Sequence, residues 1–150
     1  YYGWQLFDKI YYNNPERMSW KAKILKLMEQ DGVFDGGRLE QSELELEIKK
    51  SGVWAYPTDF YEINCISAIK AQAFGAVPVV VNYAALKETV QFGEKVDGSI
   101  WDKTTKDAYL KSLITAMTTK YDRSTMSKWA HDKYTWTKVI NLWIKNYENV

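Results

Sequence analysis

A doubly wound α/β domain built on a parallel sheet is the predicted fold class, and three observations predict it. Two short, unbroken apolar runs, "VWAYP" at 53–57 and "VPVVVN" at 77–82, have the make-up of strands covered on both faces. Stretches of helical length separate such runs. Glycine, proline and capping residues punctuate the joins. Strands joined through helices of this length imply right-handed βαβ units.

Each element has its own reason. "YYG", 1–3, reads as the end of a strand, and "YYGWQLF" as strand-like throughout. "NNPERMSWKAKILKLMEQDG", 13–32, is the clearest helix: Asn14 can cap it, Pro15 suits its first position and Gly32 ends it. Its expected buried stripe is Met18, Ala22, Leu25 and Met28. "VFDGGRL", 33–39, reads as a short strand running into a glycine turn. "QSELELEIKKSG", 41–52, is a second helix, with Ser42 and Glu45 as a capping box and Gly52 as the stop. After the strand at 53–57, residues 63–74 read as a helix with Ile66, Ile69 and Ala73 on one side, closed by Gly75. The strand at 77–82 is followed by a short helix over 84–92, and "GSIW", 98–101, is a last short strand or turn. Helices are expected over 105–119, with Leu110, Leu113, Ile114 and Met117 inward, over 124–131, and over 136–147. In the last of these Trp136, Ile140, Trp143 and Tyr147 form an aromatic stripe.

Composition narrows the function classes. At 150 residues, 46% hydrophobic and 26% charged, the chain can bury a core and is expected to form a single domain over 1–150. A net charge of +1, with acids and bases interleaved, gives no electrostatic case for nucleic acid or an anionic membrane. No apolar run approaches membrane-spanning length. Cys65 is the only cysteine, so no internal disulfide can form, which suits a reducing, cytoplasmic compartment. The first residue is not Met and the opening reads as the middle of an element, so a piece of a longer protein is expected. Seven Trp and eleven Tyr could mark a sugar-binding surface, but such residues more often serve cores and interfaces.

Motifs for other chemistries are missing. There is no GxGxxG, no P-loop and no metal-ligand cluster. His131, the one histidine, lies in the C-terminal helical region beside Asp132 and reads as a surface or cap residue. Cys65 reads as a small residue at a helix start, and nothing in the sequence supports a nucleophilic role for it. "FDGGR", 34–38, is either a sharp turn or a place where backbone closely approaches a flat ligand. Glu62 and Lys70 stand eight positions apart, just over two helical turns, so a helix over 63–74 would put Lys70 near the face that begins at Glu62. Alone, Glu62 reads as a carboxylate favourable to a helix N-terminus, worth about 0.3–1 kcal/mol.

The ordered set "PTDFYEINCISAIKAQAFGAVPVVVNYAALKETV", 57–90, resembles the donor-binding region of GT-B fold glycosyltransferases, especially the large retaining group called family four. The pattern there is Pro-Ser, a Glu, often Phe-Gly, a second Glu after seven intervening residues, then a small-residue block with Gly, Pro and Val-Val. Pro57 and Thr58 match the Pro-Ser, Glu62 the first Glu, and Ala71, Ala73, Gly75, Pro78, Val79 and Val80 the block. Ala84, Ala85, Glu88 and Val90 match the closing loop. Upstream, 33–57 is similar to the family's strand, Gly-Arg turn, helix and strand. The chain departs from the pattern at Lys70, which stands where the second Glu is expected, and at Asn64 and Cys65, which replace Phe-Gly.

The resemblance implies the C-terminal domain of a two-domain hexosyltransferase, without its first strand and without the N-terminal acceptor-binding domain. That fold would be Rossmann-like. The substrate would be a nucleotide-diphosphate sugar, with no metal or other cofactor, and the fragment alone would not turn over. Location would be cytoplasmic, peripheral at the membrane through the missing domain. Glu62 would serve as the catalytic-site carboxylate, holding hydroxyls of the transferred sugar. N–H groups of Asn64, Cys65 and Ile66 would face the sugar or diphosphate, where charge builds as the glycosidic bond breaks. Lys70, which can only donate, would reach hydroxyl oxygens, diphosphate or Glu62. Gly36, Gly37 and Arg38 would border the nucleobase. Pro57 and Thr58 would belong to the donor loop, Asn82, Tyr83, Ala84 and Ala85 would close the pocket, and Glu88 would cap or support it. The alternatives are a degenerate, non-catalytic binding module of the same descent, and a flavodoxin- or receiver-like signalling domain, which would need an acidic cluster at its first strand end that this sequence lacks.

Overall fold

The computed structural model describes residues 3–148. The chain forms two compact units, Tyr1–Gln41 and Ser42–Val150. In the first, α1 (Gly3–Tyr11) lies beside α2 (Pro15–Met28). Tyr1 and Tyr2 fall outside the described residues, but the strand-like reading of "YYGWQLF" fails from Gly3 onward. Trp4, Phe7 and Tyr11 recur at helical spacing, and the Phe7 ring lies 5.7 Å from those of Trp4 and Trp20 and 4.9 Å from that of Tyr11. The start of α2 is as expected: Asn14 caps it, its side chain accepting the Arg17 N–H at 3.0 Å, and Pro15 opens it. Its inward stripe is shifted. Met18 and Met28 are half-buried, but Lys21 and Ile24 take the places expected of Ala22 and Leu25. Lys21 turns inward because Asp8 receives its ammonium at 2.6 and 2.8 Å. Residues 33–40 contain no strand. There the Asp35 carboxylate accepts the Gly37 N–H at 2.8 Å and Gly37 sits at φ +60, so the backbone is satisfied in a local turn rather than a ladder.

The second unit is a mixed α/β arrangement around a three-stranded parallel sheet ordered β1 (Val53–Tyr56), β2 (Val77–Val81), β3 (Glu94–Val96). Val53 lies opposite Val77, and Val79 opposite Glu94. Between and after the strands come α4 (Ile66–Ala73), α5 (Leu86–Thr89), α6 (Lys103–Thr118), α7 (Arg123–Tyr134) and α8 (Trp136–Tyr147), with α3 (Gln41–Lys50) before them. Every residue of β2 is buried, as its sequence requires. Val77, Val79 and Val81 point toward Tyr109 and Ala116 of α6 and Met126 of α7. Val80 packs instead with Cys65, Ala68, Leu86 and Val90. The parallel sheet is therefore covered on both faces, and its order does not reverse within the three strands.

Several expected elements are corrected. β1 is an edge strand and only half-buried: Val53 packs against the Val77 cluster on one face and Trp54 against the Val80 cluster on the other, but Ala55 is exposed. α3 starts at Gln41, so Ser42 lies within its first turn rather than ahead of it. α4 begins at Ile66, with Cys65 as its N-cap, and buries Ala68, Ala71 and Gln72 while Ile66 is exposed. The helix expected over 84–92 contracts to α5. "GSIW" takes the turn form of its two expected ones, while the third strand is the unexpected "EKV" at 94–96. On α6 the inward residues are Thr105, Tyr109 and Ala116; of the four expected, only Leu113 joins the core, and Leu110, Ile114 and Met117 are exposed.

The buried Tyr109 hydroxyl donates to the carbonyl oxygen of Val79 at 2.7 Å, and burial pushes its pKa up to about 12 from 10.0. The unfolded chain therefore gives up this proton first. The stabilisation it reports is complete below pH 10.0 and lost as pH rises through about 12. Tyr109→Phe should accordingly lose less stability than the parent chain between pH 10.0 and about 12, read from urea midpoints at both ends. Equal losses would show that Tyr109 is not a source of alkaline sensitivity.

Candidate functional site

The carboxyl ends of parallel strands are where open α/β sheets receive ligands. A cavity of about 360 Å³ lies there in the second unit. Thr58 and Asp59, after β1, line it together with Val81 and Tyr83 at the end of β2 and Gly98, Ser99 and Ile100 after β3. The Trp101 indole N–H donates to Asp59 Oδ2 at 2.8 Å, tying the loop after β3 to the loop after β1. Gly98 sits at φ +113, and a Cβ there would run into the Thr105 hydroxyl, so the turn into α6 requires glycine.

The loops bearing the expected site residues are fastened to each other. The Ala85 N–H donates to the Glu62 carbonyl oxygen at 3.1 Å. The Glu62 carboxylate accepts the Tyr56 hydroxyl at 2.9 Å, which fixes it to the end of β1. Burial, with this bond and the Glu62 charge added, raises the Tyr56 pKa and keeps the hydroxyl a donor. Tyr61 and Tyr83 meet edge to face at 5.8 Å. Asn82 donates from its side chain to Asp97 at 2.7 Å. Ala84 is the one non-glycine residue at positive φ among the described residues, at +47, a conformation that costs an L-residue about 1–2 kcal/mol. Thr58 Oγ1 accepts the Phe60 N–H at 3.0 Å, closing the turn that follows Pro57. Glu88 is exposed on α5.

At the start of α4 no described protein group accepts the N–H of Asn64 or Cys65, but that of Ile66 is already given to the Asn64 carbonyl at 3.1 Å. Ile66 therefore does not match its expected role. The Cys65 thiol is buried, which raises its pKa, so it is a packed thiol rather than a thiolate nucleophile.

Lys70 is not joined to Glu62. Since α4 starts at Ile66, Glu62 stands outside the helix, and Lys70 pairs instead with Glu45 of α3 at 3.4 Å. Gly36, Gly37 and Arg38 belong to the first unit, in the turn made by Asp35 and Gly37. Sequence reasoning missed Asp59, Val81, Gly98, Ser99 and Ile100 as lining residues and Trp101 as the tie. "DG" at 97–98 was the one available signal, and it is readable only once "EKV" is known to be a strand.

Among the described residues no three His, Cys, Asp or Glu side chains come together as metal ligands would, and no helix is long and apolar enough to cross a membrane. No protein-family model, no curated protein and no solved structure matches the chain.

Proposed function

We propose that the second unit is a glycosyltransferase domain of GT-B type that holds a nucleotide-sugar donor at the carboxyl edge of its sheet. One observation carries the reading. The two loops that resemble the family pattern, 57–62 and 82–85, are joined by the Ala85–Glu62 bond, and Thr58 and Tyr83 from them line the carboxyl-edge cavity. In this reading Glu62, pre-oriented by Tyr56, accepts hydrogen bonds from hydroxyls of the transferred sugar. The N–H groups of Asn64 and Cys65, which no described residue accepts, lie at the positive end of α4 and stabilise negative charge as the diphosphate leaves. Asn82, Tyr83 and Ala84 close the pocket, and Glu88 supports them through α5. The apolar face of α8 would meet the acceptor-binding domain of the same fold; Trp143 and Tyr147 are 67% and 86% exposed.

Lys70 favours a second reading, a degenerate binding module. It replaces an acceptor that the family pattern uses for ribose, and its charge is already engaged by Glu45.

A thermal-shift titration with UDP, GDP, ADP and their sugar conjugates tests both. A bound donor at a hundred times its dissociation constant adds about 2.7 kcal/mol of stability. One nucleotide should raise Tm, and Glu62→Ala should reduce the rise for its sugar conjugate while leaving the unliganded Tm within a few degrees. An equal rise in Glu62→Ala removes that residue from the site. Binding without donor hydrolysis or transfer by a protein that also carries the acceptor domain would select the degenerate module.

A further inference from the structure

The first unit carries a cavity of its own, about 740 Å³ in volume. Small-ligand sites run to about 300–1,000 Å³, are mostly apolar, and carry a few polar groups that fix orientation. This cavity has that character. Trp4, Ile24 and Met28, all half-buried, and the more exposed Trp20 supply the apolar wall. Left to water, such a surface gives up about 25 cal/mol for each Å² that an apolar ligand would cover.

The charges at the cavity are unequal. Lys9, Arg38 and Asp35 line it. Asp35 already accepts the Gly37 N–H at 2.8 Å. Neither Lys9 nor Arg38 has a carboxylate partner among the described residues, whereas the neighbouring Lys21 is neutralised by Asp8. Two cations less one carboxylate leave a single positive charge beside an apolar wall. Its complement is a molecule with an apolar body and one anionic group. The guanidinium of Arg38 suits a carboxylate in particular, since its fork can donate two parallel hydrogen bonds.

We infer that this cavity binds a small amphiphilic carboxylate, its apolar chain against Trp4, Trp20, Ile24 and Met28 and its head group met by Lys9 and Arg38. The inference goes beyond the donor reading and stands without it. It gives Arg38 a partner within its own unit instead of a nucleobase.

The test is a titration of the full chain with decanoate and, separately, with decanol, following the indole N–H resonances of Trp4 and Trp20 by NMR, each assigned by its Trp→Phe variant. Decanoate should shift both resonances saturably and bind about tenfold more tightly than decanol, the scale of one charge-assisted contact. In Lys9→Ala/Arg38→Ala the decanoate affinity should fall about tenfold or more and the decanol affinity should hold. Both side chains are exposed and without an ion-pair partner among the described residues, and an unchanged circular dichroism spectrum would show the variant folded. Equal binding of the acid and the alcohol would overturn the inference. So would shifts confined to Trp136 and Trp143, or no saturable shift. A nucleoside diphosphate that displaced decanoate would also overturn it, by making the cavity part of the donor site. Loss of nucleotide binding in Glu62→Ala with decanoate binding intact would keep the two sites apart.

Discussion

Gln72→Leu is expected to destabilise the second unit by about 3–5 kcal/mol, a large fraction of the ~5–15 kcal/mol that holds a domain folded. Gln72 is 0% exposed and makes four hydrogen bonds. Its amide nitrogen donates to the carbonyls of Ala68 and Thr89 at 3.0 and 2.7 Å, and its oxygen accepts the N–H groups of Gln91 and Phe92 at 3.0 and 3.2 Å. Leucine is close in size and would bury more apolar surface, yet it would leave the Thr89 carbonyl and two N–H groups without their amide partner. Each orphan costs about 1–3 kcal/mol, against a gain of about 1.5–3 kcal/mol for a fully buried Leu side chain. The side chain fastens α4 to the segment that leads into β3, so its loss reaches the loop at 97–101 that lines the carboxyl-edge cavity. Gln72→Glu keeps both acceptor contacts but turns a carboxylate toward two carbonyls. Its proton would be held in the folded state, so its deficit should shrink as pH falls toward the ordinary carboxylate range near about 4.3. Urea midpoints at neutral and mildly acidic pH measure both effects. A Gln72→Leu loss within about 1 kcal/mol, the net worth of one ordinary hydrogen bond, would refute the anchoring role.

Gln72 also shows what the sequence could and could not tell. An apolar-periodicity reading passes over a glutamine in "AQAFG" and assigns the buried side of that helix to Ile66, Ile69 and Ala73. The residue is inside because three backbone groups 17 to 20 positions away meet it, a fact no local pattern contains. β2 was legible because all five of its residues are apolar and all five are buried. β3 was not, because two of its three residues are charged. They are tolerated because Glu94 accepts the Tyr121 hydroxyl at 2.5 Å and Lys95 reaches the Val90 carbonyl at 3.1 Å. On α6 either face could have been the inner one by period. Small Ala116 and Thr105 let the helix approach the sheet, and the Tyr109 hydroxyl finds Val79, so the more apolar face points outward. At the candidate site, Thr58 and Tyr83 were found because a pattern within one stretch reaches them. Asp59, Ser99 and Trp101 come together only after β3 is paired. The Lys70–Glu45 pair joins residues 25 apart on two helices, beyond any spacing rule.

The glycine ahead of β3 carries the other large effect. Gly93 sits at φ +98, and a Cβ built on it would run into the carbonyl oxygen of Pro78 and lie 3.0 Å from its ring. Pro78 is fully buried within β2, so neither atom can yield without moving the central strand. Gly93→Ala therefore combines two costs: an unfavourable backbone conformation of about 1–3 kcal/mol and a core overpacked by about 1–3 kcal/mol. Gly75→Ala separates them. Gly75 has a similar φ of +86, but its added Cβ would meet only Arg123, at 3.9 Å, an ordinary contact. Its loss should be the backbone term alone, about 1–2 kcal/mol. Losses of about 3–5 kcal/mol for Gly93→Ala against about 1–2 for Gly75→Ala, by urea denaturation, would show that β3 is held against β2 by close backbone approach. Equal losses would mean that the strand can step back to admit a methyl group. The functional consequence runs through the same contact. β3 has three residues and positions the 97–101 loop, so a strand displaced from Pro78 would carry Gly98 and Ser99 away from Thr58 and Tyr83. Nucleotide-dependent stabilisation should then vanish in Gly93→Ala but persist in Gly75→Ala, with both variants assayed below their own melting temperatures.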